Sequence, residues 1–186
     1  MIELLTERLR LRRLDSDDLD DLWRLDSDPR VMRFIGDGPW RDRAAHRAHM
    51  QRSLGLYAQS PLGLWSIRTL DDDLFHGLAL LQPLEGGPEI EVGYRLLTDA
   101  WGQGIATEAG RALVRYGFEA LQLGRIVGVA HPDNLASRRV LTKLGLAHRG
   151  EALHYGQTVA YYAAEREQVR RPALAMNGAH GTVGHA

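Results

Sequence analysis

A chain of 186 residues is long enough for one domain with its own hydrophobic core, and its 44% hydrophobic and 25% charged residues are ordinary for a globular protein. The formal net charge of −1 provides no bulk electrostatic attraction to nucleic acid. Because the chain has no cysteine, a disulfide framework, a thiolate zinc site and a cysteine nucleophile are all excluded.

The chain carries no signal for export or membrane insertion. Its first residues lack the basic start and long apolar core of a signal peptide. No stretch approaches the ~18 uninterrupted apolar residues that a membrane-spanning helix needs. We therefore expect a cytoplasmic protein with neither a membrane nor a nucleic-acid partner.

The acidic and histidine clusters do not predict a metal site. His46 and His49 lie three residues apart on one predicted helix, and because no carboxylate partner is evident, they indicate a solvated helix face. Asp71, Asp72 and Asp73 are consecutive and cannot all face one ion, so they indicate a solvated turn.

The first half of the chain predicts a strand, two helices and a hairpin. Alternating residues predict a strand over 6–14. A helix begins at the acidic residues 15–18, which complement its macrodipole, and stops before Pro29. A second helix is predicted over 40–59, and residues 62–70 and 74–84 predict a hairpin. The residues expected to face the core are Leu19, Leu22, Trp23 and Leu25 in the first helix, and Ala45, Ala48 or His49, and Leu56 in the second.

The second half predicts a strand, a helix, a strand, another helix and a closing hairpin. Residues 89–96 alternate as a strand, a helix follows to about residue 121, and a short strand at 125–130 makes a parallel crossover. Inside that helix, Gly110 and Gly117 predict a close approach of the helix to the sheet. A further helix at 134–144 ends at Gly145, and a hairpin over 146–165 turns at Tyr155 and Gly156.

Together these elements predict a single mixed α/β domain of the α+β type. The order is one strand, two helices, three antiparallel strands, a helix, a strand, a helix and two strands. We expect the domain to span residues 1–167. Residues 168–186 have few large apolar side chains and no periodicity, so we expect a flexible tail there.

The segment between the central strand and its helix has the composition of an anion-binding loop. It reads WGQGIA at residues 101–106, and Gly102 and Gly104 allow both a tight turn and the close approach of a ligand to the backbone. Unpaired N–H groups at the start of the following helix carry partial positive charge. The segment predicts a site for phosphate or pyrophosphate, although the same glycines would also suit a turn that binds nothing.

Two blocks of the sequence resemble the GNAT N-acetyltransferase superfamily, and in particular its RimJ/RimL-like branch. Residues 91–96 read EVGYRL and residues 101–109 read WGQGIATEA, which is similar to the acetyl-CoA-binding pattern E-I-G-Y-W-L … W-G-K-G-Y-A-T-E-A. Residues 134–146 read NLASRRVLTKLGL, similar to N-x-x-S-x-x-(V/L)-L-x-K-x-G-F. Trp101 departs from the Gln or Arg of the wider superfamily, a departure that is common in this branch.

The resemblance implies an enzyme that transfers an acetyl group from acetyl-CoA to a primary amine by direct attack, without a metal. It implies a GNAT-like domain whose mostly antiparallel, twisted central sheet is splayed at the acetyl-CoA site and flanked by helices. The first two helices would form one wall of the acceptor cleft. The acceptor could be a protein N-terminus or a small-molecule amine, and the closing strands often support a homodimer in this superfamily.

The resemblance also implies roles for individual residues. Asn134 would bind the pantetheine arm or position the thioester, and Ser137 would lie near the sulfur as a proton donor or orienting hydroxyl. Glu91 would be the general base, acting through water. Backbone groups of Leu96, Leu97 and Thr98 would pair with the arm, and the pyrophosphate would be held by the loop residues Trp101, Gly102, Gln103, Gly104, Ile105, Ala106 and Thr107.

Each of these residues also has a structural alternative. Asn134 occupies an N-cap position, Ser137 could satisfy a backbone group in the first helical turn, and Glu91 could be an exposed strand residue. We expect Trp101 to pack beneath the loop and Glu108 to hydrogen-bond neighbouring loops.

Two other functions fit parts of the pattern. A dinucleotide-binding oxidoreductase would use Gly102 and Gly104 in a G-x-G-x-x-G motif, but Thr107 replaces the third glycine and antiparallel hairpins precede the loop. A non-catalytic acyl-CoA-binding module would keep the loop and lose the base. The presence of Glu91 and Ser137 favours an enzyme.

Overall fold

An eight-stranded sheet forms the centre of the protein. The structure is a computed structural model and describes residues 2–166, so the predicted tail at 168–186 lies outside the described residues. The sheet order is β1-β2-β3-β4-β5-β6-β8-β7, with β5 and β6 parallel and the other neighbouring strands antiparallel. The strands are β1 (Glu3–Leu5), β2 (Leu9–Arg13), β3 (Gly63–Thr69), β4 (Phe75–Pro83), β5 (Ile90–Leu96), β6 (Arg125–Ala130), β7 (Ala147–His154) and β8 (Gln157–Glu165).

Four α-helices within residues 2–166 cover the two faces of the sheet. They are α1 (Leu19–Asp26), α2 (Arg43–Tyr57), α3 (Ile105–Glu119) and α4 (Leu135–Lys143). One buried cluster packs α3 and α4 against one face, and a second packs α1 and α2 against the other. The predicted mixed α/β fold with flanking helices is confirmed. None of the helices in this part of the chain has the length and apolar character needed to cross a membrane.

The N-terminal strand differs from its prediction. Residues 6–14 were expected to form one strand, but the strand begins at Leu9 and an additional strand, β1, precedes it. Thr6 closes the turn between them, since its hydroxyl accepts a hydrogen bond of 3.0 Å from the Leu9 N–H and its own N–H donates to the Leu9 carbonyl at 2.9 Å.

The predicted inward face of α2 is wrong. Ala45, Ala48 and His49 are exposed, and Leu56 is 77% exposed, whereas His46 and Met50 are buried. The prediction that His46 lies on a solvated face is therefore also wrong. The physical reason is that Asp26 of α1 is buried and lies 3.0 Å from His46. Because His46 has this partner, a polar residue faces inward on α2.

The predicted turns and crossover are confirmed. The closing hairpin turns at Tyr155 and Gly156, both with positive φ, and Gly145 ends α4 with φ +89°. A Cβ at Gly117 would lie 2.7 Å from Ile126 Cδ1 of β6, so this glycine does permit a close approach to the sheet. A Cβ at Gly110 would instead lie 2.7 Å from Leu144 Cδ1, at the end of α4.

The sheet is splayed between its two parallel strands. Glu91 and Val127 form a single Cα pair between β5 and β6, whereas β5 pairs with β4 along its whole length from Ile90 to Leu96. Because side chains alternate along β5, Val92 and Tyr94 face α3 and α4, while Glu91 and Arg95 face the side of α1 and α2. The opening between β5 and β6 therefore joins the two faces of the sheet.

Candidate active site

The loop before α3 presents backbone donors in the way that its sequence predicts. Gly102 and Gly104 have φ of +75° and +79°, and the Gly104 carbonyl accepts a hydrogen bond of 3.0 Å from the Glu108 N–H. Within residues 2–166, no group accepts a hydrogen bond from the N–H of Gly102, Gln103 or Gly104. The start of α3 is anchored by Ile105, which is buried. The loop can therefore direct free N–H groups at an anion.

Glu108 ties this loop to the N-terminal strands, as predicted. Its carboxylate accepts hydrogen bonds of 2.6 Å from the Thr6 hydroxyl, 3.0 Å from the Arg8 N–H and 2.8 Å from Arg8 Nε. Arg8 in turn donates through Nη2 to the Gln103 carbonyl at 3.2 Å. Burial alone would raise the pKa of Glu108, but these partners lower it overall, so the carboxylate stays charged.

Trp101 does not pack beneath the loop, and that prediction is wrong. Its side chain is among the exposed large hydrophobic groups, at 50% relative exposure. The indole Nε1 donates a hydrogen bond of 3.0 Å to the Leu96 carbonyl, which joins the loop to the end of β5. A tryptophan N–H that needs a partner explains why the ring lies along the strand end rather than in the core.

The three residues at the end of β5 face different directions. The Leu97 N–H donates to the His76 carbonyl at 2.9 Å, so it is directed at β4. Neighbouring residues in a strand present their backbone groups to opposite sides. Leu96 is therefore directed at the splayed side, where its carbonyl accepts from the Trp101 indole. Thr98 begins a 3-10 turn over residues 98–100; its carbonyl accepts from the Trp101 N–H at 3.1 Å, and its own N–H has no acceptor among residues 2–166.

The start of α4 brings Asn134 and Ser137 together. Asn134 is the N-cap, since its Oδ1 accepts from the Ser137 N–H at 3.1 Å. The Tyr94 hydroxyl of β5 donates to the Ser137 carbonyl at 3.0 Å and lies 3.2 Å from Ser137 Oγ. Burial raises the pKa of Tyr94, so its hydroxyl stays protonated. The proton of Ser137 Oγ can then be donated to Tyr94 or to a ligand.

Glu91 is not an exposed strand residue. It is 7% exposed, and its Oε2 accepts a hydrogen bond of 2.6 Å from the hydroxyl of Tyr155 in the closing hairpin. Burial raises the pKa of Glu91, and the bond from Tyr155 opposes that rise. Glu91 and Ser137 therefore lie on opposite faces of the sheet, on either side of the opening between β5 and β6.

A buried ionic group joins the α1–α2 face to β5 and was missed from the sequence. Asp26 and His46 are each 1% exposed, and His46 Nε2 lies 3.0 Å from Asp26 Oδ2. Arg95 donates two hydrogen bonds to the same carboxylate. One sequence signal was available, because Asp26 falls on the buried stripe of α1 together with Leu19 and Leu22.

Within residues 2–166, no three His, Asp or Glu side chains are arranged to hold a metal ion.

The segment between α1 and α2 reaches the end of β6. Phe34 stacks on His131 with ring centroids 5.0 Å apart and planes inclined by 26°. His131 directly follows β6 and lies three residues before Asn134. The α1–α2 segment therefore covers the end of the opening near the start of α4.

Comparison with known proteins agrees with this architecture. Residues 8–147 match the family described as "Acetyltransferase (GNAT) domain". "Uncharacterized N-acetyltransferase p20" of Bacillus licheniformis is 33% identical over 152 residues, which cover 81% of this chain and 85% of that protein. An acetyltransferase of the GNAT family from Bacillus anthracis superposes with a TM-score of 0.77 at 24% identity, covering 89% of this chain and 99% of that one. RimL, a ribosomal-protein α-N-acetyltransferase solved in complex with coenzyme A, superposes with a TM-score of 0.73 at 20% identity, covering 88% and 98%.

The chain belongs to the GNAT acetyltransferase family and is an N-acetyltransferase. The prediction from the two sequence blocks is confirmed at the level of the family.

Proposed function

We propose that this N-acetyltransferase binds acetyl-CoA in the opening between β5 and β6 and transfers the acetyl group to a primary amine by direct attack. The observation that carries the proposal is the set of N–H groups at residues 102–104 that have no acceptor within residues 2–166 and lie beside a sheet that is splayed open at the end of β5. In a dinucleotide-binding fold, the strand before such a loop has parallel neighbours on both sides. Here that strand is β5, which is parallel to β6 but antiparallel to β4.

The residues present fit acetyl-CoA. The backbone from Gly102 to Thr107 offers donors for a pyrophosphate at the positive end of α3, whereas the Trp101 N–H is already bonded to the Thr98 carbonyl. The N–H groups of Leu96 and Thr98 remain for the amide-bearing arm, because the Leu96 carbonyl is used by the Trp101 indole and the Leu97 N–H by β4. The Asn134 side-chain amide keeps free donor hydrogens, because its capping bond uses only Oδ1.

When bound, acetyl-CoA supplies an activated acyl carbonyl. Glu91 would take the proton of the amine through a water molecule, and the raised pKa of this buried carboxylate makes it a better base near neutral pH. Ser137 Oγ, held beside the Tyr94 hydroxyl, would orient the thioester or donate a proton to the departing sulfur. No covalent bond to the protein is needed.

The acceptor class stays open between a protein N-terminus and a small-molecule amine. RimL acts on a ribosomal protein, which supports the first choice for a chain of the same fold. Both kinds of acceptor carry a primary amine, so both can use the same base and the same opening.

Calorimetric titration of the purified protein with acetyl-CoA, with NAD as the control, is the direct test. We expect saturable binding of acetyl-CoA and no binding of NAD. A panel of amines and N-terminal peptides, followed by release of free thiol, then tests for turnover. Binding of NAD without acetyl-CoA would overturn the proposal. Binding without thiol release for any amine would favour a non-catalytic acyl-CoA-binding module.

A further inference from the structure

The tip of the closing hairpin reaches back across the sheet to the strand that carries Glu91. Tyr155 is the first residue of the turn between β7 and β8 and has φ +52°. Its hydroxyl donates to Glu91 Oε2 at 2.6 Å, across 64 positions of sequence. The hydrogen bond joins Glu91, the predicted base, to the closing hairpin, for which the sequence predicts no role at the site.

The position of this tip is set by a second carboxylate. Glu85, in the turn after β4, accepts a hydrogen bond of 2.7 Å from the Tyr155 N–H and lies 2.8 Å from His154 Nδ1. The His154 ring also stacks on Tyr161 of β8, with centroids 5.9 Å apart. The backbone of Tyr155 is therefore held independently of its own hydroxyl, so removing the hydroxyl leaves the hairpin anchored.

The two oxygens of Glu91 have different surroundings. Oε2 is the oxygen bonded to Tyr155, while no residue within 2–166 donates to Oε1 at hydrogen-bonding distance. The Gln82 side chain on β4 lies near enough to favour the charged carboxylate, and Glu91 keeps 7% exposure to solvent. A carboxylate held through one oxygen and open at the other has a defined direction for accepting a proton.

The charged and titratable groups that face Glu91 come from three elements. The hairpin contributes Tyr155 and His154, the segment between β4 and β5 contributes Glu85 and Glu89, and β5 itself carries Arg95 on the same face. Its strand neighbours, Gln82 on β4 and Val127 on β6, do not titrate. Within residues 2–166, Tyr155 donates a hydrogen bond of 2.6 Å to the Glu91 side chain, and the uncharged Gln82 side chain also favours the charged carboxylate.

We propose that Tyr155 is a positioning residue for Glu91: its hydroxyl holds Oε2 and leaves Oε1 as the atom that receives the proton of the acceptor amine. The inference rests on the proposed role of Glu91 as the base. In the step, an N–H bond of the attacking amine breaks and an O–H bond to Oε1 forms through the intervening water, while the Tyr155 proton stays on its oxygen. Burial and the nearby Glu91 raise the pKa of Tyr155, which keeps that proton in place.

The hydrogen bond from Tyr155 should change the pH at which Glu91 ionises, which a purely structural contact would not do. A donor to the charged form of a carboxylate favours ionisation, so it makes Glu91 a base at lower pH than burial alone would allow. Tyr155→Phe keeps the ring and the backbone bond to Glu85 but removes this donor. The variant should ionise Glu91 at a pH higher by about one unit.

The chain offers a matched control. The Tyr161 hydroxyl donates to Glu89 Oε1 at 2.6 Å, which is the same kind of bond to a carboxylate two residues earlier, directly before β5. Tyr161→Phe removes a comparable donor from a carboxylate that is not the predicted base. It should leave the ionisation of Glu91 unchanged.

Two measurements test the proposal. The ionisation of Glu91 is followed by ¹³C NMR of the side-chain carboxyl groups, with the signal assigned by its loss in Glu91→Gln. The acidic limb of kcat/KM against pH is followed with the best acceptor of the amine panel. In both, Tyr155→Phe should move the midpoint upward by about one pH unit and Tyr161→Phe should not. On the acidic side of the limb, kcat/KM should fall about tenfold in Tyr155→Phe and recover as pH rises.

An unchanged midpoint in Tyr155→Phe, or equal shifts in both variants, would overturn the proposal. Full turnover by Glu91→Gln with an unaltered pH profile would also overturn it, because Tyr155 would then position no base. The NMR titration needs no turnover, so its result is separate from the test of acetyl-CoA binding. The proposed function fails only if acetyl-CoA does not bind or no amine releases thiol.

Discussion

Arg95 donates two hydrogen bonds to the carboxylate of Asp26, from Nε to Oδ1 at 2.6 Å and from Nη2 to Oδ2 at 2.9 Å, and Asp26 is 1% exposed. The same carboxylate lies 3.0 Å from His46 Nε2. One buried carboxylate thus joins α1, α2 and β5, and it holds the expected wall of the acceptor cleft against the strand that carries Glu91.

Asp26→Asn should strongly destabilise the protein. Removing one partner of a buried ion pair leaves an uncompensated charge, which costs about 3–5 kcal/mol. Urea denaturation at neutral pH measures the loss. Asp20→Asn is the control, because the Asp20–Arg43 pair is exposed at both side chains and such pairs contribute about 1 kcal/mol or less. Equal effects of the two variants would contradict a special role for the buried group.

The stability that Asp26 provides should depend on pH. Burial alone would raise the pKa of Asp26, but Arg95 and His46 bring it below its ordinary value. A carboxyl with a lowered folded-state pKa stabilises the protein above its unfolded pKa of about 3.9, and the contribution is lost as pH falls through the folded value. The difference in unfolding free energy between wild type and Asp26→Asn should therefore shrink below about pH 4, and a constant difference would refute this account.

Gly104→Ala should weaken acetyl-CoA binding. Gly104 has φ +79°, a left-handed conformation that costs a residue with a Cβ about 1–2 kcal/mol, so the loop would relax and redirect its N–H groups. We expect the KM for acetyl-CoA to rise at least several-fold. Gly145→Ala provides the control, since Gly145 has φ +89° and no atom within 4 Å of an added Cβ. It should lose similar stability with an unchanged KM.

Glu91→Gln should lower kcat by about 10²–10⁴-fold, the usual contribution of a general base. The amide has the same shape and can still bond to the Tyr155 hydroxyl, so folding and acetyl-CoA binding should be retained. Steady-state kinetics and calorimetry check both statements. Glu89→Gln alters a carboxylate two residues earlier, directly before β5, and its kcat should stay near that of the wild type.

Tyr94→Phe and Ser137→Ala should act as one unit. Both remove the contact between the Tyr94 hydroxyl and Ser137 Oγ, although Ser137→Ala keeps the bond from Tyr94 to the Ser137 carbonyl. Each should lower kcat about tenfold, and the double variant should lose little more than either single one. A double-mutant cycle on kcat measures this coupling. Tyr162→Phe is the comparison, because the Tyr162 hydroxyl contacts Arg138 of the same helix. The effect of Tyr162→Phe on kcat should add to that of Ser137→Ala. If the effect of Tyr94→Phe were also fully additive with that of Ser137→Ala, the coupling would be excluded.

Local features of the site were predictable from neighbouring residues. The positive φ of Gly102 and Gly104, the capping bond of Asn134 and the turn at Tyr155 depend on a few consecutive positions. The buried state of His46 was not predictable in this way, because its partner Asp26 lies 20 positions earlier and on another helix. Trp101 was misplaced because burial was expected from its size, whereas its N–H found an acceptor at the end of β5.

The sequence by itself determined the family, the order of strands and helices apart from the additional strand β1, and the loop that can bind an anion. Each of these depends on periodicity, glycine positions or short motifs, which are properties of adjacent residues. Only the tertiary structure decided the surroundings of Glu91: its burial, the Tyr155 hydroxyl on one oxygen, and its place on the face opposite Ser137. The physical reason is that burial and hydrogen bonding between distant segments depend on how the sheet and hairpin pack together, and local sequence carries little information about that packing.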